Sequence, residues 1–340
     1  LDKKAFEIME RRISNIEYNS FLSNPNRHCS TNIVPKTISE KWIQGEKPYL
    51  HQKTDAITEL LTPILGSPFF CAPGFILYHG DCLDIMQKLA DLNFFVELTI
   101  TSPPYNIGKE YEQHLSCEQY MNWCSQWMTA IHSITSATGT FWLNLGYFEV
   151  PGKGLCVPIS YLLWDKSPFY FQQEIVWNYG AGVSTQKRLC PRNEKWLYFI
   201  KNADHYTFNL DDIRDPNVKY PNQKKNGKFR CHPLGKNPSD VWSFPKVTTG
   251  NKRSSKERTV HPAQFPLAVV ERIVLVSSNP GDIVLDPFAG SCSTGIACHG
   301  LDRIFIGFEI QQKYCELSVE RFQRYIEERT IHESQKMLFS

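Results

Sequence analysis

Residues 281–309 constrain the fold of this chain more than any other stretch. Gly281-Asp282-Ile283-Val284-Leu285-Asp286-Pro287-Phe288-Ala289-Gly290-Ser291-Cys292-Ser293-Thr294-Gly295 reads as a β-branched apolar strand, a turn containing glycine and the start of a helix. Arg303-Ile304-Phe305-Ile306-Gly307-Phe308-Glu309 reads as the next strand. It ends in an acid about twenty residues past the turn, the spacing at which βαβ units hold a ribose hydroxyl. Gly290 and Gly295 have the spacing of a phosphate loop, but Ile296-Ala297 stand where Lys-Ser or Lys-Thr is required, and Gly-x-Gly-x-x-Gly is missing. An ATPase and a nicotinamide-dependent dehydrogenase are both excluded on those residues.

A second stretch far upstream has the same logic. Val96-Glu97-Leu98-Thr99-Ile100 reads as a buried strand, and Thr101-Ser102-Pro103-Pro104-Tyr105-Asn106 ends it, because proline lacks the N–H that a ladder needs and fixes φ. A stiff turn beyond the carboxyl end of a parallel strand is where open α/β sheets place ligands. This one offers a hydroxyl (Ser102), a proline carbonyl (Pro103) and an aromatic plane (Tyr105), groups that suit an amine on a flat ring. Alone, the tetrapeptide reads more readily as a Pro-Pro turn with a tyrosine packed on it.

As a pair, the two stretches resemble the amino-methylating DNA methyltransferases that use S-adenosylmethionine. Ser102-Pro103-Pro104-Tyr105 is similar to the family's catalytic motif, Asp286 to Ser291 to its cofactor loop, and Glu309 to the acid that holds the cofactor ribose. The catalytic motif comes first and the cofactor loop last, as in the circularly permuted beta group, and the likeness spans about residues 75–325. The resemblance implies a doubly wound, Rossmann-like α/β fold of the class I methyltransferase type, circularly permuted, with an inserted target-recognition region. Expected cofactor contacts are Asp81, Cys82, Thr101, His261, Asp286, Phe288, Ala289, Gly290, Ser291 and Glu309. Asp81, at the start of a helix, is also an ordinary cap. Cys292 stands where the family usually has glycine, and its side chain is expected to narrow the approach to the cofactor.

Charge adds an independent signal. Residues 219–258 lack apolar periodicity and carry eleven Lys or Arg against two acids, Asp240 and Glu257, a net of +9 in a chain whose total is +2. Lys224, Lys225, Lys228, Arg230, Lys252, Arg253 and Lys256 are candidates to neutralise DNA phosphates, at the place where the beta group inserts its target-recognition region. A solvated basic loop would have the same composition, and charge alone does not separate DNA from RNA.

The expected organisation is a helical extension over 1–70 (helices at 2–22 and 54–65), a catalytic half over 71–202, a basic insertion over 203–260, a cofactor half over 261–330 and a tail over 331–340. The extension could brace the core, contact DNA or mediate a homodimer. A polar loop with Gly108 over 107–115 suits closure on a substrate. A helix is predicted over 118–134, a short one over 157–163, a hairpin from 173–177 and 195–200, and further helices over 265–278 and 311–329. With 41% apolar and 13% aromatic residues the chain can bury a full core. Its eleven cysteines form no metal-ligand repeat and His261 has no partner at ligand spacing, so reduced thiols and no metal are expected. No apolar run reaches a membrane span and no signal peptide is visible, so the expectation is a protein of the bacterial cytoplasm, associated with the nucleoid, or of a eukaryotic nucleus. It begins at leucine, which leaves a neighbouring domain open.

The resemblance implies methyl transfer to an exocyclic amine of a base flipped out of double-stranded DNA, as in restriction-modification. A cytosine-C5 enzyme would need a Pro-Cys nucleophile, whereas this chain has Cys190-Pro191. In the family, serine at the first motif position goes mostly with cytosine N4, and Asp or Asn with adenine N6. Ser102 therefore points to cytosine N4, as does the His261-Pro262-Ala263-Gln264-Phe265-Pro266 run, with phenylalanine where a lysine is often absent in N4 enzymes. Adenine N6 is the alternative. An RNA methyltransferase, or a DNA-binding protein that has lost transfer, fits less well.

Overall fold

A computed structural model describes residues 48–106, 115–180, 184–187, 189–247 and 257–338. The expected helix over 2–22, most of the 107–115 loop, and Lys252, Arg253 and Lys256 lie outside the described residues. In chain order the elements are α1 (Pro48–Leu65), β1 (Phe70–Ala72), β2 (Phe75–His79), α2 (Cys82–Asp91), β3 (Val96–Thr101), α3 (Cys117–Ile134), β4 (Thr135–Leu145), β5 (Tyr147–Val150), β6 (Gly154–Pro158), α4 (Ser160–Leu163), β7 (Tyr170–Asn178), β8 (Asn193–Ile200), β9 (Lys224–Lys225), β10 (Lys228–Phe229), β11 (Val241–Ser243), α5 (Leu267–Ser277), β12 (Ile283–Asp286), α6 (Ser293–Gly300), β13 (Ile304–Glu309) and α7 (Gln312–Leu338).

A nine-stranded sheet runs β1-β2-β13-β12-β3-β4-β8-β7-β11. β1 pairs antiparallel with β2, and β8 pairs antiparallel with both of its neighbours; the other pairs are parallel. Alternate residues of each strand supply the two faces, as the period of two requires. Ile283 and Leu285 face one apolar cluster with Leu50, Leu61, Met86, Trp127 and Ile131, from α1 to α3. Val284 faces the other, with Val270, Ile273 and Val274 of α5, Ile296 of α6 and Phe322 of α7. Helices thus cover both faces, the doubly wound arrangement.

The late strand β12 lies directly beside the early strand β3, with Val284 opposite Leu98 and Leu285 opposite Thr99. Here the winding reverses, which puts the switch-point crevice between the carboxyl ends of these two strands. Side chains tie the pair at both ends. Below, the Ile283 N–H donates to Glu97 Oε2 at 2.8 Å, and burial pushes that carboxyl up to about 7. Above, the Thr101 hydroxyl donates to Asp286 Oδ1 at 2.7 Å.

Several boundaries differ from the sequence expectation. Val157 and Pro158 belong to β6, the return of a hairpin with β5, and only Ser160–Leu163 is helical, since Pro158 can open a helix but not continue one. Val241–Ser243 pairs parallel with β7, so the region expected as an insertion over 203–260 gives three residues to the core sheet. α7 runs on through residues 331–338, where a separate tail was expected. The described part of the first 70 residues braces the core: Leu50, Ile57 and Leu61 are buried, and Lys53 Nζ donates to the Gly281 carbonyl at 2.6 Å. No helix among the described residues is long and apolar enough to cross a membrane.

Candidate active site

The crevice at the switch point is a cleft of about 1570 Å³, and both sequence motifs open onto it. Ser102, Pro103, Pro104 and Tyr105 line one side; Phe288, Ala289, Gly290, Ser291 and Glu309 line another; Asp81, Cys82 and His261 complete the rim.

At the Ser102–Tyr105 turn a directed relay fixes the serine. The Tyr105 hydroxyl donates to Asn144 Oδ1 at 2.8 Å, and the Asn144 amide is oriented by donating from Nδ2 to the Lys195 carbonyl at 3.2 Å. The tyrosine's single proton is thereby committed, so the 3.1 Å contact between Ser102 Oγ and Tyr105 Oη is one in which serine donates. The lone pairs of Ser102 remain as acceptors. Tyr120 donates its hydroxyl to the Pro104 carbonyl at 2.7 Å, which pins the second proline. The Tyr105 ring lies against Gly146, where an added Cβ would come within 2.9 Å of it. Asn106 has φ +59° and holds the backbone of Leu115 from both sides, through Nδ2 at 2.7 Å and Oδ1 at 2.9 Å, which joins the two ends of the 107–114 segment.

The loop after β12 is held as firmly. Glu309 Oε2 accepts the Gly290 N–H at 2.9 Å and Oε1 accepts the Gln311 N–H at 2.8 Å; burial raises its carboxyl above the usual range, opposed by those N–H groups. Ser318 donates to the Gly290 carbonyl at 2.7 Å, and Arg321 Nη1 donates to the Ser291 carbonyl at 2.7 Å and to Ser293 Oγ at 2.9 Å. Those two α7 residues were missed from sequence; their i, i+3 spacing places them on one helix face, the only sequence signal they carry. Gly290 has φ +53°, and a Cβ there would stand 3.0 Å from His261 Nε2. Burial lowers the His261 pKa, so its imidazole is neutral near pH 7.

Two expected contacts, Asp286 and Thr101, and the expected obstruction at Cys292 take different places. Asp286 is buried behind the cleft wall, where Oδ1 accepts from Thr101 and from the Phe288 N–H at 3.2 Å and Oδ2 accepts from Thr294 at 2.7 Å. Burial pushes its carboxyl up to about 6. Thr101 is equally buried, so both residues position the walls and do not line the cleft. Cys292 has φ +53° and ψ 38°, the left-handed conformation that explains a preference for glycine, but its side chain is buried in the α5–α7 cluster. It does not narrow the approach to the cleft. Asp81 does cap α2, accepting the Leu83 N–H at 2.8 Å, while remaining on the rim. Cys82 is a buried thiol, pushed up to about 12.

Of the expected DNA contacts, Lys224, Lys225 and Lys228 sit on the exposed β9–β10 hairpin, and Arg230 follows it. Asn226 and Gly227 turn this hairpin with φ +51° and +77°, the Asn-Gly signature of a two-residue turn. No cluster of His, Cys, Asp and Glu that could hold a metal occurs among the described residues.

Residues 96–320 match the profile of a family described as DNA methylase. The type II methyltransferase M.ScaI of Streptomyces caespitosus is 55% identical over 259 residues, covering 76% of this chain and 84% of that protein. The DNA adenine methyltransferase YhdJ of Escherichia coli K12 is 32% identical over 259 residues, 72% of this chain and 81% of the relative. Among solved structures, the cytosine-N4-specific PvuII DNA methyltransferase shares the fold with a TM-score of 0.55 over 73% of this chain and 86% of its own, at 19% identity.

Thr101→Val keeps the shape of the side chain and leaves one oxygen of a buried carboxylate short of a donor. A loss of about 1–3 kcal/mol in urea unfolding is expected; an unchanged midpoint would show that the bridge does not hold β3 to β12.

Proposed function

The chain belongs to the DNA methylase family, as a type II methyltransferase that uses S-adenosylmethionine, and on that premise we propose that it methylates the exocyclic N4 of a cytosine flipped out of duplex DNA. The observation that carries this reading is the relay Ser102–Tyr105–Asn144, which presents a neutral hydroxyl oxygen as an acceptor at the corner where an amine would dock.

The cleft suits the cofactor. Glu309 would supply a carboxylate for ribose hydroxyls, the bare Cα of Gly290 would allow close approach of the cofactor, and Gly80-Asp81 on the rim would meet the adenine. When bound, S-adenosylmethionine supplies a methyl group on a positively charged sulfur. The protein's own part lies with the amine. That nitrogen is a poor nucleophile because its lone pair is delocalised into the ring. Hydrogen bonds from its two N–H groups to Ser102 Oγ and the Pro103 carbonyl favour a more tetrahedral nitrogen, an arrangement made before the reaction and worth most in the transition state. Tyr105 offers a face for the flipped base. Alignment in the cleft supplies the remaining acceleration. As its N–C bond forms, the methyl's bond to sulfur breaks with the electron pair left on a neutral thioether; the amine gives up one proton to solvent, and no covalent enzyme intermediate is needed.

Adenine N6 is the second reading, favoured by the adenine methyltransferase named among the relatives, since the same acceptors could hold its amine. Asp286, the buried bridge, serves both readings equally. Lys224, Lys225, Lys228 and Arg230 stand on an exposed hairpin suited to backbone phosphates, and Lys252, Arg253 and Lys256 extend the same charge in sequence.

Ser102→Ala is expected to keep cofactor affinity within about twofold and to lose methyl transfer by about 100-fold or more; unchanged turnover removes the hydroxyl from the reaction. Weighing the modified nucleoside from the wild-type product should give N4-methylcytosine, and N6-methyladenine would replace the first reading with the second. The double variant Lys224→Glu, Lys225→Glu is expected to weaken duplex binding and flatten its salt dependence by about two units of log–log slope or more; an unaltered slope makes the hairpin a plain loop.

A further inference from the structure

The cleft holds a polar group that the transfer step does not use. Tyr179 follows β7, Glu194 lies at the start of β8, and Lys246 follows β11; all three line the same cleft as Ser102 and Tyr105. Lys246 Nζ donates to Glu194 Oε1 at 2.8 Å and stands 3.7 Å from the centre of the Tyr179 ring. The backing is stiff: Tyr179 donates its hydroxyl to the Asn193 carbonyl at 3.3 Å, and Tyr147 donates to Asn193 Oδ1 at 2.7 Å. This wall joins the catalytic corner directly, because the carbonyl of Lys195, the residue after Glu194, orients Asn144 and through it Tyr105.

The pair is half withdrawn from water, with 32% of the Lys246 side chain and 17% of the Glu194 side chain exposed. Desolvation offsets much of the attraction within such a pair, so it contributes little to folding. Burial works against the ammonium charge, but Glu194 and Tyr179 outweigh it and hold the pKa above its usual value. An ammonium has three N–H donors, so a cation fixed by Glu194 and Tyr179 keeps one for a ligand in the cleft that Ser102 and Tyr105 also line.

We propose that Lys246, held by Glu194, donates a hydrogen bond to the O2 carbonyl of the flipped cytosine and so selects the base; the inference rests on the cytosine reading above. Cytosine carries its amine and its carbonyl on the two ring carbons that flank N3. With the amine at Ser102, the carbonyl oxygen lies about a ring's width away, and the proposed pose turns it to Lys246 on the same cleft. Adenine held by its own amine at the same corner places a C–H at that position. It would leave the remaining N–H donor of the ammonium, beyond the one held by Glu194, facing a C–H, and a site built to hydrogen-bond one group rejects an analogue lacking it more strongly than an apolar pocket could.

The test measures dissociation constants of duplexes in the presence of S-adenosylhomocysteine, with wild type and Lys246→Met. The target base is either cytosine or a 2-aminopyridine C-nucleoside, which keeps the amine and adjacent ring nitrogen but has C–H in place of the carbonyl. Lys246→Met is expected to lose about 10- to 100-fold on cytosine and less than about threefold on the analogue, with Lys246→Arg recovering part of the loss. Unchanged S-adenosylhomocysteine affinity shows that the cleft is intact. Equal losses on both duplexes, as a contact to a flanking phosphate or a purely structural wall would give, overturn the proposal, and so does no loss on either. The wild-type product is identified first: N6-methyladenine removes the cytosine reading itself, whereas N4-methylcytosine followed by equal losses removes only the role of Lys246.

Discussion

One buried carboxylate holds the two halves of the site together. The backbone ladder between β3 and β12 is short, with Val284 opposite Leu98 and Leu285 opposite Thr99, and it lies where a doubly wound sheet changes direction. Asp286 continues that pairing beyond the ladder, accepting from Thr101 at the end of the catalytic strand and from Thr294 in the first turn of α6. Withdrawing a carboxyl from water costs several kcal/mol unless hydrogen bonds replace the solvent. Here two hydroxyls and the Phe288 N–H replace it. The Ser102–Tyr105 turn, the loop after β12 and the start of α6 are thus set relative to one another by a single buried side chain.

From that anchor the cleft acquires two fixed corners. Glu309 ties back to Gly290, and α7 clamps the same loop through Ser318 and Arg321. Across the cleft, Asn144 decides which way the Tyr105 proton points, and so makes Ser102 an acceptor. Both corners are preorganised by groups outside the reaction, which fits a transfer that needs alignment and a polarised amine more than it needs an acid or a base. The permuted chain order has no effect on this geometry, because the sheet brings β12 and β3 side by side whichever comes first.

Local pattern made much of this legible. β-branched runs such as Ile283–Asp286 and Val96–Thr101 could be read as buried strands, the prolines as their end, and Glu309 as the acid closing a βαβ unit. What escaped depends on partners far along the chain. Val241–Ser243 becomes a strand only because β7 offers it an edge, and three residues carry no period. Thr101 and Asp286 are expected as cofactor contacts, and that they are buried and bonded to each other behind the cleft wall is visible only in coordinates. At Cys292 the left-handed backbone accounts for the unusual residue, while the direction of its side chain, into the core, is invisible without coordinates. The Glu194–Lys246 pair spans 52 positions and joins a sheet strand to a loop, so no motif could announce it. The β9–β10 hairpin also escaped, although Asn226-Gly227 is the local signal of a two-residue turn.

The central claim is that one cleft presents Glu309 and Ser102 to opposite ends of the same reacting pair. A crystal structure of the protein with S-adenosylhomocysteine and its target duplex measures this most directly. The cofactor ribose hydroxyls are expected on the Glu309 carboxylate, with the sulfur facing a base whose amine meets Ser102 Oγ and the Pro103 carbonyl. A sulfur directed away from Ser102, or a flipped base seated on another wall, would contradict it.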